Sequence, residues 1–307
     1  MSALVTGGCG FVGSRLVARL VDAGEEVLAL DDLSLGQPNS LPAGVDQVTV
    51  DVRDTGALAE LLARHRPRSV FHLAAIHFVP ACNADPPAAL SVNVVGTQSL
   101  LSVLERVHLP ESLVLASTGG VYEPSPHPHA EDSSLAPDDV YGLSKLWAEQ
   151  AAGLWHRRTG VPVGVARMFN VIGPGETNPH LVPEILAQAR RGSELRLGNL
   201  ATRRDYVYVD DVARGLHTLA EAVPEVALAT VNLGSGRTAD GNELIELVGE
   251  LLGRRLSVAS DAERVRASDR PVLQSDSSAA RELLGWKATT SLRDALAAAV
   301  ERPLAAA

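Results

Sequence analysis

Ala3-Leu4-Val5-Thr6-Gly7-Gly8-Cys9-Gly10-Phe11-Val12-Gly13 decides the fold of this chain. A short aliphatic run reads as a strand and a helical pattern follows over 13–23. Between them, glycines recur as G-x-x-G-x-x-G at Gly7, Gly10 and Gly13. Glycine lets the backbone turn sharply and bring amides against an anion at a helix N-terminus, where the helix dipole favours negative charge. Glycines alone read as an ordinary tight turn. A strand before and a helix after are the context in which such a turn holds a dinucleotide pyrophosphate.

Working outward, Val27-Leu28-Ala29-Leu30 reads as a second strand ending in Asp31-Asp32, about 20 residues past the turn. A carboxylate there accepts hydrogen bonds from ribose hydroxyls and repels a 2′-phosphate, so the expected cofactor is NAD rather than NADP. Asp31 is the expected ribose ligand, with Asp32 a turn residue beside it. Asp51-Val52 follows a third short strand and can frame the adenine. His72-Leu73-Ala74-Ala75 ends a fourth, where small residues let a cofactor approach the backbone, and His72 itself reads as a buried, hydrogen-bonded strand residue. Further strands at 113–116 and 163–166 continue the alternation with helices, which gives an α/β Rossmann fold with a doubly wound parallel sheet.

Past about residue 173 the texture changes. Pro174, Pro179 and Pro183 break the pattern, and helical stretches at 181–191, 241–252, 277–284 and 292–301 alternate with loops. Segments 206–209 and 230–233 read as strands returning to the main body. The expected division is a Rossmann domain of residues 1–172 with about 205–232, and a smaller mixed α/β substrate-binding domain of 173–204 and 233–307.

With 307 residues, 46% hydrophobic and 21% charged, the chain can bury its own core. Its formal charge of −10 argues against general affinity for nucleic acid or anionic membrane, so anionic ligands fall to local arginines and backbone amides. No apolar run approaches the ~20 residues of a membrane span, and the first residues run straight into a strand, so a cytoplasmic protein is expected. Cys9 and Cys82 have neither disulfide nor zinc spacing, and no metal site is expected. The stretch Glu123-Pro124-Ser125-Pro126-His127-Pro128-His129 reads as an exposed loop with solvated histidines.

Tyr141-Gly142-Leu143-Ser144-Lys145 sets a phenol and an ammonium on one helix face. A nearby cation favours phenolate and brings a tyrosine down from about 10 toward the range of a general base. Such pairs are common by chance, but Lys145 and Lys287 are the only lysines in an arginine-rich chain, which shifts the balance toward function.

Taken in order, TGGCGFVG (6–13), DDLS (31–34), HLAA (72–75), NVVGT (93–97), ASTGGVY (116–122), YGLSK (141–145), RMFNVIGPG (167–175), RRDYVYVDDV (203–212) and NLGSG (232–236) resemble an extended short-chain dehydrogenase/reductase. The resemblance is to the NAD-dependent nucleotide-sugar epimerase/dehydratase family, UDP-glucose 4-epimerase-like members included, and it spans nearly the whole chain. It implies that Tyr141 takes a proton from a sugar hydroxyl, that Lys145 assists it and holds the nicotinamide ribose, and that Thr118 bonds the same sugar oxygen. Phe11, Val12 and Asn93 sit at positions similar to cofactor contacts, although Asn93 reads equally as a helix cap. Asn170, Arg204 and Arg266 resemble the residues that grip a nucleotide diphosphate, with Asp269 meeting the ribose or orienting Arg266; Arg203 reads as a surface charge.

Gly119-Gly120 stands where related 4,6-dehydratases carry an Asp-Glu pair. This favours 4-epimerisation, the two glycines giving a sugar room to turn. Leu197-Gly198-Asn199-Leu200 is similar to a segment of some sugar dehydratases and keeps dehydration as the second reading. A keto-sugar reductase and a non-catalytic dinucleotide sensor complete the alternatives. His77, Thr177, Asn178 and His180 are candidate sugar readers. The loop 176–180 has no arginine for a uronic carboxylate, so a hexose or N-acetylhexosamine is expected. Helices over 93–106 and 141–157, with Leu100, Leu101, Leu104, Leu146, Ala148 and Trp155, resemble a family dimer interface, which predicts a homodimer.

Overall fold

A computed structural model describes residues 2–37, 40–261 and 270–301. Seven strands form one parallel sheet in the order Leu228–Leu233, Val163–Met168, Ser112–Thr118, Ser69–His72, Ser2–Thr6, Glu26–Asp31, Asp46–Thr49. Alternate residues of each strand feed opposite faces, as a doubly covered parallel sheet requires. Ala3 and Val5 join a core with Leu16, Leu20, Leu216 and Trp286, while Leu4 joins one with Leu58, Leu62, Leu100 and Trp155. The strand order reverses between Ser2–Thr6 and Ser69–His72, and ligands of such sheets bind beyond the strand ends at that point.

A smaller C-terminal region has its own core of Ile185, Leu195, Leu244, Val248 and Leu296. The strand 230–233 does return to the main sheet, pairing as Leu228–Leu233 with Val163–Met168. The other does not: Arg203–Tyr208 pairs with Asn170–Ile172, Thr238–Ala239 and Val272–Leu273 in a separate sheet, and only the helix after it, Val209–Val226, packs on the main sheet.

Three further expectations change. The run Pro86–Val107 is 22 residues long and contains an 18-residue stretch of mean hydropathy 1.3, long and apolar enough to cross a membrane by length and composition; 44% of that stretch is buried in this fold. Leu100, Leu101, Leu104, Ala148 and Trp155 belong to the chain's own core, whereas Val95, Trp147 and Leu154 are the exposed apolar residues on these two helices. His129 is buried rather than solvated, its ring stacked 4.7 Å from that of Tyr122.

Candidate active site

The ends of the central strands open onto a cavity of about 1040 Å³, walled on its far side by residues from 170–190, by Leu197, Gly198 and Asn199, and by Arg204 and Arg270. That volume is at the upper end of the roughly 300–1,000 Å³ of small-molecule sites and suits a long, two-part ligand.

At one end lies the glycine turn. Gly7 has φ +70°, a conformation that side chains other than glycine rarely adopt, and an added Cβ at Gly13 would overlap the Gly7 carbonyl oxygen. The helix Phe11–Asp22 thus starts hard against the turn. Gly10 is its N-cap and supplies no capping side chain. Both Phe11 and Val12 line the cavity. Asp31 is 7% exposed; it accepts from Cys9 N at 3.0 Å and Leu33 N at 2.9 Å. Burial raises its carboxyl above the usual range, and the backbone donors counteract this. Asp32 behaves as the turn residue expected, accepting from Ser34 N and Ser34 Oγ. Asp51 pairs with Arg53, and Val52, Leu73, Ala74 and Ala75 complete this wall.

Asn93 is the exception: among the expected site residues that are described, it alone does not line the cavity. It sits within a π-helical turn, Ser91–Gly96, not at a cap. Its amide accepts from Ile76 N at 2.8 Å and donates to Ile76 O and to Ser144 Oγ, both at 2.9 Å. The cavity wall therefore hangs on Asn93 from behind. A hydrogen-bonded run supports the same wall. Thr97 Oγ1 donates its only proton to Asn93 O and so accepts from His72 Nε2 at 2.8 Å; Nδ1 of the neutral ring then accepts from Thr6 Oγ1 at 2.7 Å, and Thr6 Oγ1 accepts from Ala74 N. Burial, then the charge of Lys145, pushes His72 down to about 3 and keeps it neutral.

Thr118 and Tyr141 line the cavity together, and Lys145 follows one turn along the helix Val140–Thr159, 3% exposed. Burial pushes the lysine down to about 8 against the pull of Glu149. Burial also raises the Tyr141 phenol, Cys82 and Asp139 add to the rise, and Thr118 opposes it. The lowered phenol expected from Lys145 is thus not found in the protein alone, where loss of hydration is the largest influence and raises it.

Gly119 does not make room for a ligand: an added Cβ would lie 2.9 Å from the Phe169 ring, and it is Gly120 that faces the cavity. Arg270 fixes this loop. Its guanidinium donates to Tyr122 O at 2.8 Å, Gly120 O at 3.0 Å and Asp138 Oδ1 at 2.8 Å. Behind the loop, Arg167 and Glu149 form a buried pair at 2.8 Å, and Arg167 donates to Tyr122 Oη, which donates to Asn232.

At the far end, Asn170, Thr177, Asn178, His180 and His77 line the cavity with Arg204. Asn178 Nδ2 reaches His77 Nε2 at 3.0 Å, and Arg204 donates to Arg270 O. Arg203, expected at the surface, is half-buried and ties to Thr238 and Asp240. Arg266 and Asp269 lie outside the described residues. Two residues with clear roles in the geometry, Arg270 and Glu176, were not singled out from the sequence. The first adjoins Asp269, and the second opens the stretch Glu176-Thr177-Asn178-Pro179-His180; proximity to a motif was their only signal. Glu176 joins His77 and His180 in a group whose potential ligand atoms all lie within 4.8 Å of one another, despite the absence of metal-binding spacing in the sequence.

The model of the NAD dependent epimerase/dehydratase family matches residues 3–234. The UDP-glucose 4-epimerase of Rhizobium meliloti is 32% identical, with 92% of this chain and 91% of that protein aligned. Among solved structures, UDP-glucose 4-epimerase of Thermotoga maritima with UDP-glucose has a TM-score of 0.89 at 30% identity, covering 98% of both chains. The UDP-glucose 4-epimerase of Thermus thermophilus, in complex with NAD, gives 0.89 at 29% identity, again over 98% of both.

Proposed function

The chain belongs to the NAD dependent epimerase/dehydratase family, and from that premise we propose that it is an NAD-dependent 4-epimerase of nucleotide-diphosphate sugars, acting by transient oxidation at C4. The observation that carries this reading is the meeting in one cavity of Thr118, Tyr141 and Lys145 with the glycine turn and Asp31. The uncapped helix start at Gly10 suits a pyrophosphate, and the buried carboxylate of Asp31 suits ribose hydroxyls and rejects a 2′-phosphate.

When bound, NAD supplies a positively charged hydride acceptor that returns the hydride to the opposite face of the sugar. Tyr141 takes the proton of the C4 hydroxyl and gives it back, Thr118 holds the same oxygen, and Lys145 favours the phenolate. Arg204 and Asn170 meet the diphosphate together with Arg266, and Asp269 meets the nucleoside ribose or orients Arg266; these last two lie outside the described residues. His77, Thr177, Asn178 and His180 read the sugar. The Glu176 carboxyl beside them favours a hexose or N-acetylhexosamine over a uronate. Residues 1–172 with about 205–232 serve the cofactor and the remainder the nucleotide sugar. The protein is a cytoplasmic homodimer whose contact runs through Val95, Trp147 and Leu154.

Dehydration keeps a specific observation in its favour. Glu176, which burial pushes up to about 7, puts an acid or base in a cavity whose Gly119-Gly120 loop has none. NMR of the protein with UDP-glucose, UDP-galactose, their N-acetylamino counterparts and GDP-mannose decides. The expected result is one 4-epimer mixture reached from either side without net NADH and lost in Tyr141→Phe. A 4-keto-6-deoxy product or accumulating NADH refutes epimerisation.

A further inference from the structure

His77, Glu176 and His180 come from two segments about 100 residues apart and meet on the cavity wall. We propose that they form a site for a divalent transition-metal ion, for which zinc is the natural probe. The inference stands apart from the epimerase reading, since it concerns binding and needs no turnover.

Two imidazoles and one carboxylate are a donor set for zinc or iron(II) rather than for calcium or magnesium, which take oxygen. The two histidine ring centres lie 6.0 Å apart and are tilted by 31°. Rings sharing one tetrahedral ion at usual zinc–nitrogen distances have centres about 5 Å apart. The three ligand atoms, within 4.8 Å of one another, must close to about 3.3 Å, which rotation of the long Glu176 side chain and a small advance of the rings accomplish.

Supporting contacts orient this set. His77 Nε2 takes the Asn178 amide at 3.0 Å, which leaves Nδ1 as the donor of the neutral ring. A ring held through one nitrogen with the other aimed into a cavity is the usual posture of a metal-ligating histidine. Phe78 packs edge-on against His180 at 5.2 Å, and Glu176 accepts from Asn178 N at 3.0 Å. A metal replaces the Asn178 amide on His77. Three protein ligands leave a fourth position facing the cavity, open to water or a sugar hydroxyl. Lys145 lines the same cavity, and its positive charge opposes a cation at this wall.

The test is calorimetric titration of the chelator-treated full chain with zinc chloride, paired with cobalt(II) absorption. One zinc per chain is expected, with the intense visible bands of four-coordinate cobalt. His180→Ala and Glu176→Gln should each weaken binding at least tenfold. Asn178→Ala, which frees His77, should bind as tightly or more tightly. Retained NAD binding checks that each variant is folded, and Glu176→Gln, the smallest change, carries the test if His180→Ala does not fold. Absence of saturable binding, or binding that ignores both ligand variants, overturns the site.

Discussion

Replacing Lys145 by methionine should stabilise the protein while abolishing turnover. The side chain is 3% exposed, and burial brings its ammonium from 10.5 down to about 8. Keeping that charge at neutral pH therefore costs the fold about 3 kcal/mol. Methionine has similar length and no charge to desolvate, and Glu149 retains Arg167 as its partner. Unfolding entropy for a chain of 307 residues is about 0.6 kcal/mol/K, so the gain raises Tm by about 5 °C. The pH dependence has a definite sign. Between about 8 and 10.5 the unfolded lysine keeps a proton that the folded one has lost, so stability of the parent rises with pH through this window. The advantage of the variant is thus full below about pH 8 and fades toward 10.5. Thermal unfolding of both proteins, free of nucleotide, near neutrality and near pH 10 measures it. A variant less stable than its parent at neutral pH, or an advantage indifferent to pH, refutes the reasoning.

Asp31→Ser should weaken NAD binding and admit NADP, read by titrating both nucleotides; unchanged preference would show that the carboxylate does not select. Glu149→Ala strips the partner from a buried guanidinium and should cost about 3–5 kcal/mol, a fall in Tm of roughly 5–8 °C. Arg270→Met should release the Gly120 loop and lower kcat about tenfold or more with NAD affinity intact, because loss of positioning is felt in the transition state; Arg270→Lys, which keeps charge but not the fork, should recover little. Trp147→Asp should give monomers by light scattering if the exposed apolar face is the dimer contact.

The Rossmann half was legible because its signals are local. A strand, a glycine turn and a helix lie within the first 22 residues, and each later strand announces itself as a short aliphatic run. Thr118, Tyr141 and Lys145 were findable for a related reason: two share a helix turn and the third ends a strand. The cap was harder to read. Arg203–Tyr208 has the pattern of any half-buried strand, and nothing local says which sheet it joins. Asn93 was expected at the cofactor and instead bonds Ile76 and Ser144, which lie 17 and 51 residues away and left no local signal. Glu176 and His77 were invisible as a pair for the same reason, and burial of His129 depends on Tyr122 and Ser275 closing over a loop that looks polar.

Burial acts on the whole pocket in one direction. It raises Tyr141, raises Glu176 to about 7 and lowers Lys145 to about 8, so each group is moved toward its neutral form. Burial leaves these groups poised near their neutral forms, and the charge a ligand brings is felt at short range in a poorly screened medium. Positive charge entering beside Tyr141 lowers the phenol, whereas negative charge entering near Arg204 and Arg270 meets fixed guanidinium groups. In the proposed reaction the arrival of a cationic ring therefore turns Tyr141 into a base, which would couple proton removal to cofactor occupancy without any moving part. Thr118 completes the coupling: its hydroxyl, held by Gly120 N at 3.1 Å, already stabilises the phenolate side of the equilibrium. Arg270 holds the same loop through its guanidinium and accepts from Arg204 through its backbone carbonyl, so one residue ties the Gly120 loop to Arg204.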